Sequence, residues 1–243
     1  MSVGDSNGKN LCVAILAGIL LLVFVLPAIL VVRFDASAGV IVSGAVMWVV
    51  SQAVKIPAHL MASRWLSRKL PKAAWAAIRG VVSAVSELAP SALCLVFFLP
   101  FLSLPSIVGF GVGASGAEIL FVLAARFARR RKGRSKSRID IGAAHTGRSP
   151  YVRYFFLVER TAALLLHIGS RCLVYTSLSQ HTPWAGIWAL ISFSLVDGLA
   201  AYGKLRGWNW LDARISGGFF GFTFVVGASD LALFAATAQG FRH

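Results

Sequence analysis

Negative charge is scarce in this chain. Nine acidic residues stand against 24 basic ones among 243, a formal net charge of +15, and all charged residues together make up 14%. A soluble domain carries about 25%. With 57% hydrophobic residues and a mean hydropathy of +0.75, the composition excludes an ordinary soluble enzyme. Disorder is excluded too, because it pairs high charge with low hydrophobicity. Cysteine is as scarce: Cys12, Cys94 and Cys172 are scattered through apolar runs. They are too few for a disulfide framework, and no Cys/His zinc spacing accompanies them. No cleavable leader is expected either, and the first apolar run is read as a retained span. The run Leu11–Val32 is too long for a signal-peptide core, and no small-x-small site follows it before Arg33. Phe, Tyr and Trp are absent between Ala128 and Pro150, the most basic stretch, which removes any stacking platform for single-stranded nucleic acid. No nucleic-acid partner is expected.

What is present is long apolar runs. A membrane-spanning helix needs about 20 mostly apolar residues. Seven segments qualify: Leu11–Val32, Ala38–Leu60, Gly80–Leu102, Ile107–Ala125, Tyr154–Leu178, Trp184–Tyr202 and Ile215–Ala238. Their continuity, without a period of two, favours helices over a barrel. The expected fold is therefore all-α, a polytopic membrane helical bundle of about seven transmembrane helices. Residues 1–10 read as an N-terminal tail, and residues 11–243 as a single transmembrane domain. Trp65, Trp75, Trp184 and Trp208 fall near proposed span ends, where interfacial aromatics belong.

The positive charge alternates along the chain. Arg64, Arg68, Lys69, Lys72 and Arg79 lie between spans two and three. The segment 126–150 holds the densest group, from Arg126 through Arg129, Arg130, Arg131 and Lys132 to Arg148. Lys204, Arg206 and Arg214 lie between spans six and seven, whereas the intervening loops are nearly free of Lys and Arg. By the positive-inside rule the N-terminus and the three basic loops are cytoplasmic. Those loops are expected to attract anionic lipid headgroups at about 1 kcal/mol per residue. An integral protein of a bacterial plasma (inner) membrane is the expected setting.

Ionisable residues inside spans are costly and mark sites. Here they are Lys55, His59, Glu87, Glu118, Glu159, Arg160, His167, Arg171, Asp197 and Asp230. Counting from the basic border at 1.5 Å per residue places Lys55, Glu87, Glu118, Glu159 and Asp197 at one depth, roughly 9–14 Å below it. His167 lies deeper, and Asp230 falls in the opposite half. Gln52, Lys55 and His59 share one helix face; Arg160, His167 and Arg171 share another. Both stripes should face the bundle interior. Structural ion pairs such as Lys55 with Glu87, or Arg160 with Asp197, would satisfy the same pattern. The run Gly109–Gly116 before Glu118 lacks the Lys-Ser/Thr of a phosphate loop, so close helix approach is expected there.

The segment Glu159-Arg-Thr-Ala-Ala-Leu-Leu-Leu-His167 resembles the Glu-Arg-x-x-Ala-x-x-x-His helix of the YhfC family, glutamic-type intramembrane proteases related to CAAX-processing and PrsW-like proteases. Gly111-Val-Gly-Ala-Ser-Gly-Ala-Glu118 is similar to that family's Gly-x-Gly-His-Gly-Gly-x-Glu segment. Ser86-Glu87-Leu-Ala-Pro90 stands where Glu-Glu-x-x-Arg is expected, and Phe193-Ser-Leu-Val-Asp197 where His-x-x-x-Asp is expected. The order of motifs agrees from about Ala38 to Tyr202. The resemblance implies catalysis by Glu87 or Glu118 as base for water, with His167 as oxyanion or substrate-positioning group. Asp197 and Glu159 would orient, with Arg160, Lys55 and His59 lining the substrate site. Four family positions are replaced, by Ser86, Pro90, Ala114 and Phe193. Each missing oxyanion donor costs roughly 10²–10³ in rate. The expectation is thus a YhfC-like superfamily protein, catalytically impaired, binding a membrane-protein segment or peptide in a polar cavity. No cofactor is implied, and no metal, because His167 alone falls short of a three-ligand zinc set. Two other readings remain open: a small transporter or permease component using the carboxylate–lysine layer, and a membrane assembly factor.

Overall fold

A computed structural model describes residues 14, 15, 17–98, 102–131 and 154–238. The proposed tail 1–10, Cys12 and most of the basic segment 126–150 lie outside the described residues. Among the described residues the structure is helical, without strands. The helices are α1 (Ala17–Phe34), α2 (Ala38–Leu66), α3 (Lys72–Phe98), α4 (Leu104–Arg131), α5 (Phe155–Ser179), α6 (Pro183–Arg206) and α7 (Ala213–Ala238). Six of them, all but α5, are long and apolar enough to cross a membrane.

Local chemistry sets the boundaries. Asp35 takes a left-handed conformation (φ 52°) and ends α1, and the Ser37 side chain accepts from Val40 N at 3.4 Å to cap α2. Pro183 stands in the first turn of α6, and Gly207 (φ 69°) ends that helix. Leu21–Val25 inside α1 winds as a π-helix. The helices overrun the apolar segments expected from sequence. Helix α2 continues to Leu66 and α3 begins at Lys72, so Arg64 and Arg79 sit on helices, not in a loop. Backbone hydrogen bonding continues past the apolar stretch, and long basic side chains at helix ends reach outward to water.

Helix α5 is the axis of the bundle, packing against α3, α4, α6 and α7, while α2 packs on α3 and α4. Every residue from Leu166 to Thr176 is buried, so α5 is covered on all sides. That explains its composition: a helix shielded by protein does not need an apolar surface and can carry Glu159, Arg160, His167 and Arg171. Small residues let the helices close on one another. A Cβ on Gly113 would stand 1.9 Å from the Ile41 carbonyl oxygen, and one on Gly44 2.0 Å from that of Phe110. The expected close approach at Gly109–Gly116 is therefore a crossing of α4 with α2, with Gly111 against Ile168 of α5.

Candidate functional site

Five helices contribute to one ionic cluster around α5. Lys55 on α2 donates to Glu87 Oε1 on α3 at 2.7 Å and approaches Asp197 Oδ2 on α6 at 3.4 Å. The other Glu87 oxygen accepts from Arg171 on α5 at 3.2 Å. Ser83, one turn before Glu87, donates to Asp197 Oδ2. Arg160 donates to Glu118 Oε1 on α4 at 2.7 Å and to its neighbour Glu159 at 2.8 Å. His167 Nε2 pairs with Glu118 Oε2 at 2.5 Å, and its Nδ1 lies 3.9 Å from Glu87 Oε2. His167 thus stands between two glutamates from different helices. Glu87, Arg160, His167 and Arg171 are all buried. Burying this much charge is tolerable only because each member is paired.

The cluster lines a cavity of about 200 Å³. Lys55, Glu87, Glu118, Glu159, Arg160, His167 and Asp197 all contribute to its wall. The wall extends to Lys204 near the C-terminal end of α6 and to Phe219, Phe220 and Thr223 of α7. Seven of the eight site candidates meet in one place. The eighth, His59, is half-buried one turn beyond Lys55 on α2, and it is not part of the wall. The pair Lys55–Glu87 forms as a structural reading anticipates, whereas Arg160 chooses Glu118 and Glu159 over Asp197. The reason is positional: Asp197 is already engaged by Lys55 and Ser83.

Some contributors were not singled out from sequence. Ser83 lies four residues before Glu87, and Lys204 seven after Asp197. Both spacings place them on the same helix faces as those acids, a signal that was present. Arg171 counted as one of a stripe but not as a site residue; it is 1% exposed and holds Glu87. Phe193 packs edge-on against His167, with ring centroids 5.6 Å apart, and the Arg171 guanidinium lies over the Phe193 ring at 5.5 Å from its centroid.

Chemically, the cluster is engaged. Both Glu118 oxygens and both Glu87 oxygens have cationic or imidazole partners. A general base must hold a water within about 2.6–3.2 Å on an open lone pair. Phe193 supplies no donor for an oxyanion, and Ala114 is buried away from the wall. Among the described residues no group of three or more His, Cys, Asp or Glu side chains is placed to hold a metal ion. In the opposite half of the bundle Asp230 is fully buried and accepts from Trp188 Nε1 at 3.0 Å and Ser192 Oγ at 2.9 Å. It tethers α7 to α6 and stands apart from the cavity wall.

Comparison with known proteins finds no matching family model, no matching curated protein and no matching solved structure.

Proposed function

We propose that this integral membrane protein is a YhfC-like member of the intramembrane protease superfamily that binds a membrane segment or peptide in its polar cavity without hydrolysing it. The observation that carries this reading is the double engagement of Glu118, with Arg160 on one oxygen and His167 on the other. A carboxylate with a partner on each oxygen is already committed to its neighbours, and it is suited to anchor a polar ligand through that cluster. Phe193 against His167 supports the same reading, because the donor expected there is replaced by an apolar ring. In this account α5 is a seventh span at the centre of the bundle. The N-terminus and the basic helix ends face the cytoplasm of a bacterium, and the cavity is reached from that side, past Lys204.

The test is retention of peptides by reconstituted protein. A library of membrane-segment peptides should yield a saturably bound subset enriched in mid-segment polar residues. Ala163→Trp, which fills the cavity wall, should lower retention about tenfold or more. Retention unchanged in that variant, or no retention by the parent protein, overturns the proposal.

One observation favours a second reading, a proton-coupled transporter component. His167 hydrogen-bonds Glu118 at 2.5 Å, and its Nδ1, which has no hydrogen-bond partner among the described residues, lies 3.9 Å from Glu87; a shift of about 1 Å would let the ring relay a proton between carboxylates on two helices. Solute-driven acidification of liposomes, abolished by His167→Phe, would support it over the peptide reading.

A further inference from the structure

A second concavity lies on the outside of the bundle, between α3 and α6. It encloses about 510 Å³ and is bounded by Ala73, Ala76 and Ala77 on α3 and by Leu195, Gly198 and Tyr202 on α6. It shares no lining residue with the polar cavity. The two helices are drawn together beside it, because a Cβ on Gly80 would stand 2.2 Å from the Ser194 carbonyl oxygen. Toward the basic end, alanines on α3 leave a trough where larger residues would close the surface. Its volume lies within the ~300–1,000 Å³ of ligand sites.

The trough has a direction and two chemically different ends. Its α3 wall, from Ala73 to Val81, is about 12 Å long, and its α6 wall, from Leu190 to Tyr202, about 18 Å. One leaflet of bilayer hydrocarbon is about 15 Å thick, half of a ~30 Å core. No acidic residue lines it. The mouth is basic: exposed Lys72 directly precedes Ala73. Exposed Arg206 lies with its guanidinium 5.9 Å from the centre of the Tyr202 ring. Tyr202 in turn packs edge-on to Trp208 at 6.0 Å, which puts an aromatic pair at the headgroup level where such residues belong.

We propose that this trough is a binding site for one anionic glycerophospholipid, with an acyl chain along the alanine–glycine floor and the phosphate headgroup between Lys72 and Arg206. The occupant must be apolar over one leaflet's length and negative at the basic end, and such a lipid meets both demands. A second copy of this chain does not, because the same end of its α3 and α6 is basic and would repel.

Native mass spectrometry from detergent reads both lipid number and oligomeric state. The purified full chain is titrated with dioleoyl phosphatidylglycerol and, separately, with dioleoyl phosphatidylcholine. Each basic residue contributes about fivefold in affinity near a charged headgroup. The parent protein should therefore retain one anionic lipid with a preference of roughly tenfold or more. Lys72→Gln with Arg206→Gln should bring that preference below about threefold. Ala77→Trp, at an exposed position that fills the trough, should lower retention of both lipids while the protein's helix content and elution stay unchanged. Equal retention of the two lipids by the parent protein overturns the proposal. So does a preference that survives the double substitution, since the headgroup is then held elsewhere. A dimer that Ala77→Trp dissociates, with lipid number unaffected, also overturns it and makes the trough a contact between copies.

Discussion

Glu87 is the member of the ionic cluster whose removal should be felt most. It is 4% exposed and neutralises two cations at once, Lys55 at 2.7 Å and Arg171 at 3.2 Å. In Glu87→Gln, Lys55 keeps Asp197 at 3.4 Å, whereas Arg171 loses its carboxylate and keeps, among the described residues, the hydroxyl of Ser170 at 3.2 Å and the Phe193 ring at 5.5 Å. Arg171 is 1% exposed, so water cannot replace the lost carboxylate. Breaking a buried pair by removing one partner costs about 3–5 kcal/mol. The residual Ser170 contact argues for the lower end, about 3 kcal/mol. Arg171→Met alone should cost about 1.5–3 kcal/mol, the worth of a charged hydrogen bond, because Glu87 retains Lys55. The double variant removes both the stranded cation and its partner, so it should be more stable than the summed losses by about 2 kcal/mol. Denaturant titration in mixed micelles, reading midpoint and slope for all four proteins, measures this coupling. Losses that add within about 0.5 kcal/mol would refute the claim that these two charges depend on each other.

Helix contact at Gly113 is equally testable: Gly113→Ala should lower stability by about 1–3 kcal/mol, because its Cβ meets the Ile41 backbone, while Gly218→Ala meets nothing within 4 Å and should change it by less than about 0.5 kcal/mol. Thermal unfolding in detergent compares the two. Asp230→Leu leaves the Trp188 indole without its acceptor, while the Ser192 hydroxyl keeps the Ala189 carbonyl at 3.1 Å, and should cost about 1–3 kcal/mol. Asp230→Asn, which keeps an acceptor oxygen, should lose less by the same unfolding measurement. Reporter fusions after Lys69 and after Trp208 should both report the cytoplasm, and one after His181 the opposite side. A fusion at His181 reporting the cytoplasm would remove α5 from the set of spans.

The helical architecture was legible because membrane spans announce themselves by length and hydropathy, and because six helices here each contain a long apolar stretch. The ends were less legible. Arg64 and Arg79 look like loop charges in the sequence, yet the backbone stays helical through them, since a helix owes its hydrogen bonds to neighbours along the chain and not to the lipid around it. Depth counting brought Lys55, Glu87, Glu118, Glu159 and Asp197 to one layer, and those five line one cavity. It could not choose partners. Arg160 sits within reach of several acids, and whether it takes Glu118 or Asp197 depends on the rotation of α5 against α4 and α6, which no single helix encodes. His59 illustrates the opposite failure: it shares a face with Lys55, but one turn further along α2 that face has passed the cavity. The apolar trough beside α3 was not legible at all, because alanines in a span look alike whether they face lipid, protein or a gap.

The central claim is that the cavity holds a peptide and leaves it whole. The direct measurement is the intact mass of a peptide captured by the reconstituted protein, followed over hours, for the parent chain and for Glu118→Gln. A single unchanged mass is expected in both, with retention weakened in the variant as Arg160 and His167 lose their shared partner. Shorter products that accumulate with the parent chain and vanish in Glu118→Gln would contradict it, and would make this protein an active glutamic-type protease.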